Sequence, residues 1–272
     1  MNNELVSIIM SVYDGDSPEF LREAIQSIID QDYPNIEIIL IADGVRNNLL
    51  ISSIESIVNN NKEMVRYFSQ DINSGLASCM NKAIDLSKGE FLARMDADDI
   101  MESNRITLQS NFLRLNSEID IVGSYIMEFN LESDTKKLIR YPLRHADMRK
   151  SFGKRNPLAH PSVMFKRSFF NKSGKYPIDT LTDEDTILWL RAFLNGCKFA
   201  NIDLPLTRMR VSNDFFSRRK GVKKGLNDLN NRILVISRLS LPIVNYLYAL
   251  GRFFLQIIPS SKVKKFAYNN FR

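Results

Sequence analysis

The feature that most restricts the fold is an alternation running through the first 95 residues. "VSIIMSVY" (6–13), "IEIILIA" (36–42), "MVRYFS" (64–69) and "EFLARM" (90–95) are largely apolar, β-branched-rich runs. That is the pattern of strands buried on both faces. Helical stretches separate them. "SPEFLREAIQSIIDQ" offers Ser17 as an N-cap, Pro18 at the first helical position, and the apolar pairs Phe20/Leu21, Ala24/Ile25 and Ile28/Ile29 on one face. Residues 49–60 carry Leu50, Ile51, Ile54, Ile57 and Val58 on one side, and a third helix runs from Leu76 through Ile84 towards Gly89. Strands spaced by helices of this length pair in parallel through crossovers. The expectation is an α/β fold: a mainly parallel, Rossmann-like sheet flanked by helices. Ligands of such sheets bind beyond the carboxyl ends of the strands. Asp43 follows the second strand, Asn73 the third, and Asp96 and Asp98 the fourth, so all should open onto one edge.

Beyond residue 117 the pattern loosens. Strands are expected near 119–129, 136–141, 161–166 and 198–211, with a helix over "DEDTILWLRAFLNG" (183–196) and two or three helices over 222–272. There is no internal repeat and no low-complexity linker. A chain of 272 residues accommodates one large α/β domain with an appendage. "MNNELVSIIMSVY" lacks a basic n-region and reads as the first strand rather than a signal peptide. Cys79 and Cys197 have neither metal-ligand spacing nor a disulfide framework, which fits a reducing compartment. Charge is split along the chain. Residues 205–272 hold 14 Lys and Arg against two acids, Asp214 and Asp228, leaving 23 basic and 29 acidic residues in the rest. A slightly acidic body thus carries a strongly basic tail, suited to an anionic surface.

The stretch "GEFLARMDADDIME" (89–102) carries the chemistry. Asp96, Asp98 and Asp99 repel one another at the end of a buried strand. Such a set suits a hard divalent cation, Mg²⁺ or Mn²⁺, which prefers oxygen ligands and shares substrate phosphates. The plainer alternative is that Asp98 or Asp99 caps a turn before a helix starting near Ser103. An EF-hand loop fails, because Ile100 and Met101 stand where an oxygen ligand and a glycine are needed. A phosphatase with an aspartate nucleophile places Asp-x-Asp likewise, but follows it with Gly-Thr or a similar pair where Asp99-Ile100 stand here. "SVYDGDS" supplies neither the G-x-G-x-x-G of a dehydrogenase nor the glycine- and arginine-rich loop of a nucleotidyltransferase.

With these residues in place the chain resembles the family-2 glycosyltransferases of the nucleotide-diphospho-sugar transferase (GT-A) fold. "VSIIMSVYDG", "FLREAIQSIIDQDYPNIEIILIADG", "NSGLASCMNKAIDLSKGEFLARMDADD" and "EDTILWLRAFLNG" follow in the family's order and spacing. "RMRVSNDFFSRRKG" is similar to the amylovoran-biosynthesis-like bacterial polysaccharide transferases. The resemblance spans about residues 5–221. It implies a GT-A catalytic domain over 1–221, with a donor half to about 116 and an acceptor half beyond, and a basic helical extension over 222–272. It implies an inverting transfer from a nucleotide-diphosphate sugar, most simply a UDP-sugar, to a polyprenyl-diphosphate-linked glycan in surface polysaccharide assembly. By the resemblance, Asp43 contacts the base, although Ala42 stands where many relatives have a further acid. Asp96 and Asp98 hold the metal on the diphosphate. Glu184 and Asp185 are the catalytic pair, Asp185 being the base. The reaction chemistry agrees: a cation neutralises the leaving nucleoside diphosphate, and a carboxylate takes the proton of the attacking hydroxyl. Dipole compensation at a helix start is the alternative reading of Glu184 and Asp185.

Weaker candidates complete the set. Arg94 reaches a donor phosphate or pairs with nearby acids. Arg218 and Arg219 close over the diphosphate as a lid or form a solvated turn. His160 lines the acceptor side or is structural. Trp189 is a second candidate for the acceptor side, although its helical spacing suits the core. "PIVNYLYALGRFFLQIIP" (242–259) is too short to span a bilayer and is interrupted by Arg252. It reads as an interfacial helix on an anionic leaflet, placing the protein peripherally on the cytoplasmic membrane face, or else as a helix packed on the body or across a homodimer. A nucleic-acid partner is not expected, since the body is acidic and no recognised motif is present. A non-catalytic, membrane-tethered nucleotide-sugar-binding protein and a metal-dependent phosphatase are the competing functions.

Overall fold

A computed structural model of the chain describes residues 4–180, 183–212 and 221–257. The first half alternates as the sequence predicts: β1 (Val6–Tyr13), α1 (Pro18–Ile29), β2 (Ile36–Asp43), α2 (Asn48–Asn60), β3 (Val65–Gln70), α3 (Leu76–Leu86) and β4 (Phe91–Arg94). There follow β5 (Ile100–Met101), α4 (Arg105–Leu115), β6 (Ile121–Asn130), β7 (Thr135–Ile139), α5 (His145–Ser151), a 3₁₀ turn (His160–Ser162), β8 (Met164–Lys166) and α6 (Ser168–Ser173). The described chain ends with α7 (Glu184–Leu194), β9 (Phe199–Arg210), α8 (Val222–Arg238) and α9 (Val244–Ile257).

The sheet runs β3-β2-β1-β4-β8-β6-β9-β5, with β7 added to β6. It is parallel across β3, β2, β1 and β4 and again between β6 and β9, while β8, β5 and β7 pair antiparallel. The sheet as a whole is therefore mixed, and the expected parallel pattern holds for the half with βαβ crossovers. Alternate residues of β1 and β2 serve two cores. Ile8, Met10, Ile38 and Leu40 pack with α1, α2 and α4. Ile9, Ile39 and Ile41 pack on the opposite face with α3 and with residues of α5 to α9. Helices thus cover both faces, which is why these strands read as continuous apolar runs.

The strand order reverses at β1. The chain goes outward through β2 and β3, and α3 then carries it back to place β4 on the other side of β1. That reversal opens a crevice between the carboxyl ends of β1 and β4. Ser17 caps α1 through the amides of Glu19 and Phe20, and Asn47 caps α2 through those of Leu49 and Leu50. The extension is joined to the body: Val235, Ile236, Leu239, Leu241 and Ala249 are buried in the same core as Phe152, Trp189 and Phe193. No helix among the described residues is long and apolar enough to cross a membrane.

Candidate functional site

A cavity of about 950 Å³ lies at the switch point, lined by Ser11, Tyr13, Gly15, Asp16, Asp43, Asn73, Asp96, Asp98, Arg210 and Lys224 among others. Each wall has a local cause. Asp43 ends β2 and is 3% exposed. Its Oδ1 accepts from the Ser74 amide at 2.7 Å, and its Oδ2 from the Gly75 amide at 2.9 Å. The carboxylate therefore ties the loop after β3 to the start of α3, where the helix dipole favours negative charge. Gly44 permits the approach. Its φ is +65°, and a Cβ there would meet the Asn73 amide nitrogen at 2.6 Å.

The acids after β4 are arranged for a cation. One carboxylate oxygen from each of Asp96, Asp98 and Asp99 falls within 4.8 Å of the others. Asp99 is 1% exposed. Its Oδ1 accepts from the Arg210 amide at 2.9 Å, but its buried Oδ2 has no hydrogen-bond partner. Burial, then the charges of Asp96 and Asp98, push the Asp99 carboxyl well above the usual range. Burial and Asp96 push Asp98 up to about 6. Asp16, in the loop after β1, is pushed up to about 7 by burial and by Asp98 and Asp96, against a hydrogen bond from the Tyr13 amide. Repelling, desolvated carboxylates with an unpartnered buried oxygen suit a hard divalent cation.

Two arginines set this geometry. Arg105 is fully buried and donates to the carbonyls of Arg94 (2.9 Å), Pro161 (3.0 Å) and Val163 (3.2 Å), to Thr207 and to Gln109. It fixes the end of β4 against β8 and the 3₁₀ turn, and burial lowers its pKa to about 9. Arg210 donates from Nε to the Asp98 carbonyl at 3.0 Å, pairs with Glu23, and stacks 3.8 Å from the Phe20 ring centroid. Arg94 pairs with a nearby acid: its guanidinium grips Asp96 through both Nη atoms and is 3% exposed.

Glu184 and Asp185 open α7, preceded by Asp183 with φ +62°. Neither lines the cavity. Asp185 Oδ2 accepts from Asn156 Nδ2 at 2.9 Å, and Oδ1 from the Thr186 amide at 2.7 Å. Burial raises both carboxyls. Arg94 counters that rise at Glu184, whereas Arg232 of α8 does so at Asp185, so the two acids face different surroundings. Tyr176 lies within electrostatic reach of both, and of Arg94 and Asp96. His160 Nε2 lies 2.8 Å from the Tyr176 hydroxyl, its ring edge-on to Trp189, and burial holds its pKa well below the usual value.

Trp189 requires a correction. It is 0% exposed and packed among Phe165, Phe169 and Phe199, so it is a core residue and meets no acceptor. Arg218 and Arg219 lie outside the described residues. Sequence reasoning assigned no role to Tyr13, Asp16, Arg105, Arg210 or Lys224, and it counted Asp99 among the repelling acids without naming it as a ligand. The strand-end rule that found Asp43 and Asp96 would also have found Asp16, which follows β1.

The profile of glycosyl transferase family 2 matches residues 7–174. Over 226 residues the chain is 31% identical to the UDP-Gal:alpha-D-GlcNAc-diphosphoundecaprenol beta-1,3-galactosyltransferase of Escherichia coli, covering 82% of this chain and 80% of that one. The chain belongs to glycosyl transferase family 2. This glycosyltransferase is also 27% identical over 219 residues to the amylovoran biosynthesis glycosyltransferase AmsE of Erwinia amylovora, at 80% of each chain. Its fold matches the mannosyltransferase PcManGT of Pyrobaculum calidifontis, solved with GDP-Man and Mn²⁺. The TM-score is 0.66 at 13% identity, covering 98% of this chain and 79% of that one. The GT-A fold expected from the sequence is therefore the fold observed.

Proposed function

We propose that this glycosyltransferase moves a sugar, with inversion, from a UDP-sugar to a hydroxyl of a lipid-linked glycan during bacterial surface polysaccharide assembly. The observation that carries the reading is the Asp96–Asp98–Asp99 cluster, with its unpartnered Asp99 oxygen, on a cavity at the switch point. The donor and acceptor classes are supported by the activity for which the E. coli relative is named, and the assembly role by that of AmsE.

The all-oxygen donor set fits Mn²⁺ or Mg²⁺, held by Asp96 and Asp98 with Asp99 behind them. When bound, such an ion neutralises charge developing on the leaving diphosphate. The chain's own residues do the rest. Tyr13, 45% exposed on the cavity wall, offers a ring face to the base. Asp43 orders the loop beside it and retains acceptor capacity for a base N–H. Lys224, at the cavity rim, supplies positive charge to the phosphates. Asp185 takes the proton of the attacking hydroxyl, and Glu184 is the second member of the pair. A single displacement needs no covalent nucleophile, which fits inversion.

The C-terminal helices supply the membrane contact. Asn245 and Ala249 of α9 are buried, while Ile243 (84% exposed), Leu247 (68%), Leu250 (43%) and Phe254 (55%) share the opposite face. Exposed Lys150 and Lys154 lie on the segment packed beside this helix, Lys154 placing its Nζ 4.7 Å from the Tyr248 ring centroid. An apolar stripe with basic flanks on a +12 segment complements an anionic leaflet.

A thermal-shift screen of UDP-, GDP-, dTDP- and CMP-sugars with Mn²⁺, followed by product analysis on a GlcNAc-diphospho-lipid acceptor, tests the reading. The largest shift should come from a UDP-sugar and vanish with EDTA or in Asp98→Asn. A shift indifferent to EDTA removes the metal, and donor hydrolysis unaffected by acceptor favours a phosphatase.

A further inference from the structure

Helix α8 reaches the catalytic pair through one buried guanidinium. Arg232 is 4% exposed. Its Nη1 donates to the Phe152 carbonyl at 2.9 Å, and its Nη2 to Asn156 Oδ1 at 3.3 Å. The same Asn156 oxygen accepts from the Thr186 hydroxyl at 3.0 Å, while Asn156 Nδ2 donates to Asp185 at 2.9 Å. Outward, Arg232 Nε lies 3.7 Å from Asp228 Oδ1, and Asp228 Oδ2 accepts from Arg252 Nε of α9 at 2.7 Å. A buried guanidinium is costly to desolvate, and an apolar side chain would fill the same space more cheaply. Its chemistry explains its presence. Guanidinium is donor-only, so the face of Asn156 turned to it must be the oxygen. The amide nitrogen is then forced towards Asp185. Without Arg232 the Asn156 oxygen keeps only the Thr186 hydroxyl as donor, and a flipped amide, which accepts from a protonated Asp185, competes with the donating one and so raises the Asp185 pKa.

We infer that Arg232 is a positioning residue that locks the Asn156 amide into the orientation that donates to Asp185, and that Asp228 and Arg252 extend this lock to α9. The inference rests on the reading of Asp185 as the base. It makes α8 and α9 part of the catalytic machinery rather than an appendage. Among the described residues, the charged and titratable groups around Asp185 are Asp183 just before α7, Glu184 on it, Arg232 on α8, and Tyr176 in the loop after α6.

The test is the titration of the Asp185 carboxyl in the full chain, followed by carboxyl ¹³C NMR and assigned with Asp185→Asn. In Arg232→Gln and Asn156→Ala the midpoint should rise by about one pH unit, the size of one lost charge-assisted hydrogen bond. UDP-sugar affinity should stay within about twofold while kcat falls about tenfold or more, its pH profile moving with the carboxyl. Arg252→Gln should shift the midpoint in the same direction by less. Arg232→Gln in the Asp185→Asn background should cost no further activity. An unmoved midpoint in a folded Arg232→Gln protein overturns the inference. Should that variant fail to fold, an unmoved midpoint in Asn156→Ala does the same. Normal turnover by Asp185→Asn instead removes the base reading, and leaves the titration to judge Arg232 alone.

Discussion

At the end of β4 three carboxylates converge with one buried oxygen unpartnered; at the start of α7 one carboxylate is wrapped in neutral donors with a guanidinium at one remove. Both groups are desolvated, and in both burial raises the pKa. They differ in what completes them. The β4 acids repel one another, and although Arg94 pairs with Asp96 and the Arg210 amide with Asp99, one buried Asp99 oxygen is left without a partner, an arrangement that an added cation would complete. Asp185 is satisfied by the fold itself. The first arrangement suits a ligand site that empties and refills each turnover, the second a base that must keep one orientation throughout.

The sharpest way to break this contrast is to neutralise one acid on each side. Asp185→Asn should bind donor nearly normally and lose transfer by about 10²–10⁴-fold, the usual contribution of a general base. Asp98→Asn should instead lose metal-dependent donor affinity, read by calorimetry with and without EDTA. Equal losses of binding in both variants would merge the two sites into one.

Protonation separates the two next. Burial, with the charge of neighbouring acids, pushes Asp98 up to about 6 and Asp16 up to about 7 in the metal-free fold, above the ordinary carboxylate value. A carboxyl raised in this way contributes stability below its unfolded pKa, and that contribution is lost as pH climbs through the folded value. Metal-free protein should therefore lose Tm between about pH 4 and 7. Mn²⁺ binding must displace those protons, so its affinity should rise across the same window, by up to about tenfold per pH unit for each proton released. A flat Mn²⁺ affinity between pH 5 and 8 would remove the acids from the binding step.

The same contrast governs how much was legible in the sequence. The βαβ half was readable because strands buried on both faces leave unbroken apolar runs, and Asp43, Asp96 and Asp98 followed from the strand-end rule. Asp99 was visible but unassigned: its role depends on β5, two residues long, whose pairing with β9 sets the Arg210 amide against it. Two residues carry no periodicity. Arg105 and Arg232 were invisible for a related reason. Each is an arginine on a helix until tertiary contacts bury it; apart from Gln109 and Asp228, each one helical turn away, their partners lie 10 to 102 and 76 to 80 residues away. For Trp189 the helical spacing pointed to the core, as found, and its placement on the acceptor side failed because an aromatic beside two candidate acids looks the same in sequence whether it faces a ligand or the core.

Stability offers a subtler separation. Asp99→Asn keeps an acceptor for the Arg210 amide and removes a repelled, desolvated carboxyl. It should raise the metal-free protein's stability by about 1–3 kcal/mol at pH 7.5, the scale of relieving one unsatisfied buried polar group. The variant should gain much less from Mn²⁺ than the wild type does. Asp185→Asn should change metal-free stability little and leave the Mn²⁺ gain intact. Chemical denaturation with and without Mn²⁺ reads both, and a destabilised Asp99→Asn would show that its carboxyl is satisfied without the ion.

The smallest expected effect on the protein itself concerns α9, whose buried face joins the catalytic core and whose exposed face bears Leu247 and Phe254. Leu247→Gln with Phe254→Gln touches only the exposed face, so stability should move by no more than about 0.5 kcal/mol. The Arg252–Asp228 link remains, so donor affinity and the Asp185 titration should be unchanged. Co-sedimentation with anionic vesicles should nevertheless fall. Each side chain removes apolar area worth about 1.5–3 kcal/mol when fully buried, and the basic residues retain only the electrostatic part of binding, which salt screens. The residual binding should therefore be more salt-sensitive than the wild type's. If the double variant sediments as well as the wild type at every salt concentration, the stripe is not the lipid-facing surface. If it loses stability instead, the face is covered by protein, as in a homodimer.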